Sequence, residues 1–181
     1  MMRALNYPAV ALALVAAGAA CERAEPAGEN ALPPPNTAQD MVPAAVMFDT
    51  ATVQIRTADS TLVLAVEVAD RSDQRAYGLM DRDDLDAGSG MIFFYDELQP
   101  GDSGFWMYRT RIPLDIAFFD GAGRVTAILQ MEPCTTPVAA RCPTYSPGVP
   151  YFGALEVNRG FLAEHGVEVG DQVVLPGRLG G

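Results

Sequence analysis

Two stretches of strict alternation open the apolar pattern. Val53, Ile55 and Thr57 alternate with Gln54 and Arg56, and Leu62, Leu64, Val66 and Val68 alternate with Val63, Ala65 and Glu67. A period of two is the signature of a strand. Met91-Ile-Phe-Phe-Tyr95 and Gly104-Phe-Trp-Met-Tyr108 are apolar runs of strand length. Asp115-Ile-Ala-Phe-Phe119 and Arg124-Val-Thr-Ala-Ile-Leu-Gln130 flank Asp120-Gly-Ala-Gly123, a hairpin signal. Further strands are expected at Phe152 to Val157 and, after the Gly170-Asp171 turn, at Gln172-Val-Val-Leu175. Two short helices interrupt this pattern. Asp70 is placed to cap the first and Gly78 to end it; the second runs from Gly160 to His165 and stops at Gly166. His165 then sits where a cation complements the helix dipole. No repeat is visible. Eight or so short strands with Gly and Pro punctuation predict a mainly β domain, a β-sandwich or barrel with one or two accessory helices.

The N-terminal quarter breaks the pattern. Arg3 is the only charge before Glu22, and Ala9 to Ala20 is apolar and small. This is the form of a secretory signal over residues 1–20, and the run is too short to span a bilayer. Cys21 follows at once, as in a bacterial lipoprotein signal, although Gly18 stands where such signals usually carry an aliphatic residue. Gly18-Ala19-Ala20 would also suit an ordinary signal peptidase. Residues 21–45 hold Pro26, Pro33, Pro34, Pro35 and Pro43 without periodicity and read as a Pro-rich tether. The folded domain is expected over 46–178, with a short tail at 179–181. This order predicts an exported, periplasmic domain, held at the membrane only through a lipid on Cys21.

Charge narrows the partners. The formal charge is −11, from 23 acidic and 12 basic residues, and every base is Arg. Such a chain repels phosphate backbones, so nucleic acid is not expected as a partner. A single His and the absence of CxxC leave no zinc site of His and Cys, and no Gly-rich phosphate loop or Gly-x-Ser-x-Gly elbow appears. No cofactor or metal is called for. Met80, Met91, Met107 and Met131 could offer thioethers to Cu(I), but they lie in different elements and suit core packing. Cys134 and Cys142 enclose seven residues including Pro137. In an exported protein they are expected to be bonded as a staple, since a redox pair favours CxxC spacing.

Several residues stand out against apolar surroundings. A strand through Phe105–Tyr108 turns Phe105 and Met107 to one face and Trp106 and Tyr108 to the other. The second face either presents an aromatic pair for stacking against a ring or is covered, the commoner fate of a lone Trp. Asp115 and Glu156 each lie inside an apolar strand. They are read as carboxylates held by Arg or turn amides, as members of a solvent face, or as an acid–base pair for glycan hydrolysis. Arg75, Arg82, Arg109 and Arg111 are the available cations.

The series Arg75-x-x-Gly78-Leu-Met80-x-Arg82-x-x-Leu85, Gly90-Met-Ile-Phe93 and Phe105-Trp-Met107-x-x-Thr110-x-x-Pro113-Leu-Asp-Ile116-x-Phe118 resembles the domain-of-unknown-function 192 family. Pro133-Cys134, Cys142-Pro143-x-Tyr145, Leu155-Glu156 and Gly166-x-x-x-Gly170-Asp171 continue the match, over about residues 60–175. The family commonly has Asn before the Thr of this motif; here it is Arg109. The resemblance implies a compact jelly-roll-like β-sandwich, often exported, and implies no activity. Two functions are carried forward. One is a non-catalytic module binding a small molecule or glycan at the envelope, with Arg82, Trp106, Tyr108, Asp115, Tyr145 and Glu156 converging on a site. The other is a hydrolase of an envelope polymer that uses Asp115 and Glu156.

Overall fold

The structure is a computed structural model that describes residues 46–175 and Gly177. The chain divides into two units, Met1–Pro43 and Ala44–Gly181, and the fold below belongs to the second. The signal expected over 1–20, the tether over 21–45, the lipid at Cys21 and the tail at 179–181 lie outside the described residues.

The domain is mainly β. Strands β1 (Asp49–Arg56), β2 (Thr61–Ala69), β3 (Ser89–Gln99), β5 (Leu114–Phe119), β6 (Val125–Met131), β8 (Tyr151–Asn158) and β9 (Gln172–Val174) form one curled sheet. Their order is β6-β5-β8-β3-β2-β1-β9. The pairs are antiparallel except β2–β3, which is parallel and needs a crossover; α1 (Ser72–Tyr77) lies within it. The two edge strands meet. Val125 N donates to Asp171 O at 2.8 Å, Gly170 N to Val125 O at 2.9 Å and Val173 N to Gly123 O at 2.8 Å. One curled sheet therefore closes on itself in a barrel-like way, in place of the two separate layers of a sandwich. A short ribbon of β4 (Phe105–Trp106) and β7 (Thr144–Tyr145) completes the strands.

Alternation along the strands separates two apolar clusters. Val53, Ile55, Leu64, Val66, Ile92, Phe119, Leu155 and Val157 fill the inside of the curl, where α2 (Phe161–Glu164) adds Leu162. Met91, Phe93, Leu114, Ile116, Phe118, Met131 and Ala154 pack on the outside. Both faces of β5 are covered, so all six of its residues are buried and no polar alternation marks it. The outer cluster is roofed by Phe105 and Met107, and by Leu79 after α1. Phe105 stands edge-on to Phe93 at 4.9 Å and to Phe118 at 5.5 Å. Each buried aromatic of this kind contributes roughly 1.5–3 kcal/mol. Met91, Met107 and Met131 belong to this packing.

Local details differ from the pattern in two places. Arg71, not Asp70, is the N-cap of α1, and the reason is the buried Gln74. Its Oε1 accepts from Asp70 N and Arg71 N, both at 3.1 Å. Gly78 ends the helix as expected, at φ 52° with its N–H on Gln74 O. The second difference is β4, which stops at Trp106 because Tyr108 instead bridges Cys134. The Asp120 turn holds as read, with Asp120 Oδ1 accepting from Ala122 N and Arg124 N at 2.9 Å. His165 is the C-cap of α2, stacked on Phe161 at 4.2 Å.

Candidate functional site

A narrow cleft opens on the outer face, between α1 and the segment that follows β4. Arg75, Tyr77, Met80, Trp106, Thr110 and Glu156 line it over a floor of Phe93 and Phe105. The cleft leaves about 20 Å³ of room, enough for one water-sized group.

Glu156 lies at the centre of the sheet. On β8 it sits between Met91 of β3 and Ile116 of β5. It is 4% exposed, and among the described residues no side chain forms a hydrogen bond or ion pair with its carboxyl. Burial alone pushes the Glu156 carboxyl up to about 8, since an apolar setting penalises the charged form. At neutral pH it is a neutral acid that can donate a hydrogen bond. Thr110, also buried, shares the cleft, and its hydroxyl has no hydrogen bond to the described residues.

The walls are held by local geometry. Alternation turns Phe105 and Met107 into the core and leaves Trp106 44% exposed at the lip, 5.4 Å from the Tyr108 ring. The covering expected for a lone Trp does not occur: Trp106 lies on the face of the β4–β7 ribbon opposite the one that carries Phe105 into the core. Arg75 Nη1 donates to Asp70 O and Phe94 O, and its guanidinium lies 5.0 Å over the Tyr95 ring. The Tyr95 hydroxyl is pushed up, chiefly by burial.

Two non-glycine residues with positive φ flank the cleft, Asp81 at 62° and Arg109 at 58°. L-residues rarely adopt this region, and such residues gather at sites where the surroundings over-determine them. Here Asp81 N donates to Arg109 O at 2.9 Å, while the Arg109 guanidinium pairs with the Asp81 carboxylate. Arg111 binds Asp83 at 2.7 Å and reaches Asp81 at 3.5 Å. Asn suits a left-handed backbone better than Arg, so the usual family residue fits this conformation and Arg109 depends on its ion pair. Behind the wall, Cys134 and Cys142 are bonded, with Cα atoms 5.8 Å apart. Arg109 N donates to Cys134 O at 2.9 Å and Cys134 N to Thr110 O at 3.1 Å. The disulfide loop thus braces the strained segment.

Of the residues expected to converge, the structure brings Trp106 and Glu156 to one cleft, with Tyr108 beside Trp106. The other three lie elsewhere. Arg82 pairs with Glu67 at 2.5 Å in a separate groove of about 250 Å³ near Asp84 and Ser89. Tyr145 sits opposite Phe105, and its hydroxyl accepts from Glu132 N at 3.0 Å. Asp115 faces the inside of the curl. Ile116 is the residue opposite Glu156, opposite residues share a face, and Asp115 therefore points the other way. Its Oδ2 accepts from Gly160 N at 2.9 Å and Leu162 N at 3.3 Å at the start of α2, while Oδ1 has no partner among the described residues. A carboxylate pair of Asp115 and Glu156 is ruled out by the sheet between them. The sequence pattern does not mark Thr110 or Tyr77 as site residues. Thr110 stands inside the long motif, and only the fold shows that it is buried.

A mainly β curled sheet with an unpaired buried acid defines a class by shape and not by reaction. The DUF192 family model, described as an uncharacterized ACR, matches residues 53–175, and the chain belongs to that family. Its fold is similar to a crystal structure of a proposed transcription regulator from Sinorhizobium meliloti 1021. The identity is 29%, the TM-score 0.65, and the match covers 73% of this chain and 98% of that one. It is also similar to a protein of unknown function from Novosphingobium aromaticivorans DSM 12444, at 28% identity and a TM-score of 0.58, covering 72% of this chain and 94% of that one. Among curated proteins no sequence matches the chain.

Proposed function

We propose that this protein is a non-catalytic binding module of the bacterial cell envelope and that the Trp106–Glu156 cleft takes a small molecule or glycan. The observation that carries the reading is Glu156. Glu156 is a largely buried acid in an apolar setting, which is costly for a charged carboxylate, and it lines a cleft shared with a half-exposed Trp. Rings stack on exposed indoles, and a few placed polar groups then set orientation. The hydrolase alternative loses its second carboxylate, since Asp115 lies across the sheet. Gene regulation, suggested for the Sinorhizobium meliloti protein, finds no support in a chain of charge −11 without Lys.

The envelope setting rests on the signal-like residues 1–20, the Cys21 that follows them and the Pro-rich spacer. Anchoring through lipid on Cys21 is the only membrane contact proposed, and intact mass of membrane-extracted protein tests it. The binding reading has a direct assay because Trp106 is the only Trp in the chain. Fragments of envelope glycans and a metabolite panel should be titrated against its fluorescence. Trp106→Ala should abolish binding measured by calorimetry. It should cost less than the roughly 3–5 kcal/mol of a fully buried Trp. A ligand that binds Trp106→Ala as well as the natural protein would place the site elsewhere.

A further inference from the structure

We infer that the protein has a second binding site at the open mouth of the curled sheet, where Phe94, Tyr95, Phe119 and Phe152, with Asp70 and Asp96, take a quaternary ammonium group. This site is separate from the Trp106–Glu156 cleft and does not depend on it.

The curl has two unlike ends. At one, α2 follows β8 and puts Leu162 inside, which fills that end. At the other, β2 runs out at Ala69, β5 runs out at Phe119 and β8 begins at Tyr151. A pocket of about 260 Å³ remains between them. The mouth of a barrel is a usual place for a small-ligand site. Phe94 and Phe119, the buried residues of the lining, stand edge to face with ring centroids 6.0 Å apart. Phe152 is half-buried. At Gly121 a Cβ would lie 3.3 Å from the Phe152 ring, tighter than most contacts, so the turn after β5 leaves that ring its place.

Charge selects the ligand. The lining residues include two acids, Asp70 and Asp96, and no base. Arg75 donates to the Asp70 and Phe94 carbonyls and covers the Tyr95 ring at 5.0 Å, but it lines the cleft on the outer face and not this pocket. Arg71, the base next to Asp70, is turned to Met47 O and Asp73. Asp120, beside the mouth, holds the amides of its own turn. An anion would meet two like charges here. A neutral apolar group would gain the rings and nothing from the acids. A cation gains from both, because ring faces carry the negative part of the aromatic quadrupole and carboxylates attract over a longer range. The kind of cation follows from the scarcity of acceptors. A primary ammonium has three N–H donors to satisfy, and four of the six side chains in the lining are rings. A quaternary ammonium presents methyl groups, has no N–H and suits ring faces.

Three probes separate these contributions: choline, its neutral tert-butyl isostere with carbon in place of nitrogen, and ethanolammonium. Each is titrated into the whole isotope-labelled protein and followed by NMR. The Gly121 amide reports the mouth, and the Trp106 indole N–H reports the cleft in the same spectrum. Choline should shift Gly121 and leave Trp106 in place. The isostere and ethanolammonium should bind at least about tenfold more weakly. Asp96→Asn, at an exposed position, should weaken choline about threefold and reduce its dependence on salt. Phe152→Leu should weaken choline about fivefold, and melting curves check that both variants are folded. Equal binding of choline and its isostere would overturn the inference, since the pocket would then be apolar without charge selection. Tighter binding of ethanolammonium than of choline would also overturn it, leaving the acids alone as the site. So would choline affinity that is the same in both folded variants. A shift of the Trp106 indole alone, or of neither reporter, would show that no cation binds at the mouth and would leave the reading of the cleft untouched.

Discussion

Replacing Glu156 by Gln isolates the electrostatic cost that the outer core carries. In the fold the carboxyl stays protonated up to about pH 8, against 4.5 for a free side chain. Between those values the folded chain holds a proton that the unfolded chain has released. Stability must therefore fall as pH rises across that window, by about 1.4 kcal/mol per pH unit. The span implies a total loss of about 4–5 kcal/mol, a large part of the ~5–15 kcal/mol that stabilises a typical domain. It is fully in force above pH 8 and absent below about pH 4.5. Gln keeps the shape and does not titrate; its buried amide costs roughly 1–3 kcal/mol at every pH. Urea unfolding of both proteins from pH 4.5 to 8.5 gives the answer. The natural protein should lose stability relative to Glu156→Gln as pH rises, and the variant should be the more stable of the two by pH 8. Parallel pH profiles would show that Glu156 is not held protonated by the fold, and the reasoning about its apolar setting would fail.

Other outcomes follow from the same geometry. Asp115→Ala should destabilise by about 2–3 kcal/mol, since Gly160 N and Leu162 N lose their acceptor. Asp115→Asn keeps an acceptor and should cost much less, and neither change should alter binding in the cleft on the other face; chemical unfolding and Trp106 titration check both. Replacing Cys134 and Cys142 together with Ser should cost about 2.5 kcal/mol through loop entropy. It should also weaken ligand binding, because Cys134 is hydrogen-bonded to Arg109 and Thr110; unchanged affinity in the destabilised variant would show that the loop does not brace the wall. Arg109→Asn should raise the melting temperature, since Asn accepts φ near 58° more readily than Arg. The gain should grow with added salt, which screens the exposed pair with Asp81 in the natural protein.

Much of this architecture is written locally. Period-two alternation places β1 and β2, Asp120 with its glycines makes the β5–β6 turn, and Gly78 ends α1. Each feature depends on neighbours a few residues away, so a single sequence contains it. The Cys134–Cys142 bond is legible for a similar reason: the two cysteines are separated by only seven residues, so the pairing closes a short local loop. The motif running from Phe105 to Phe118 names the family without naming a reaction. What tertiary structure alone decided is which side of the sheet each polar residue meets. Asp115 and Glu156 look alike in sequence, each a carboxylate inside an apolar strand. The pairing of Ile116 with Glu156 sets them on opposite faces, one capping α2 and the other facing the cleft. Strand β5 is buried on both sides, so alternation carries no mark of inside or outside there. Arg82 finds Glu67 and not the site, and Trp106 stays at a lip because it lies on the face of β4 opposite the one that meets the core. Those outcomes depend on register between strands distant in the chain, and register is set by how the whole sheet curls and closes.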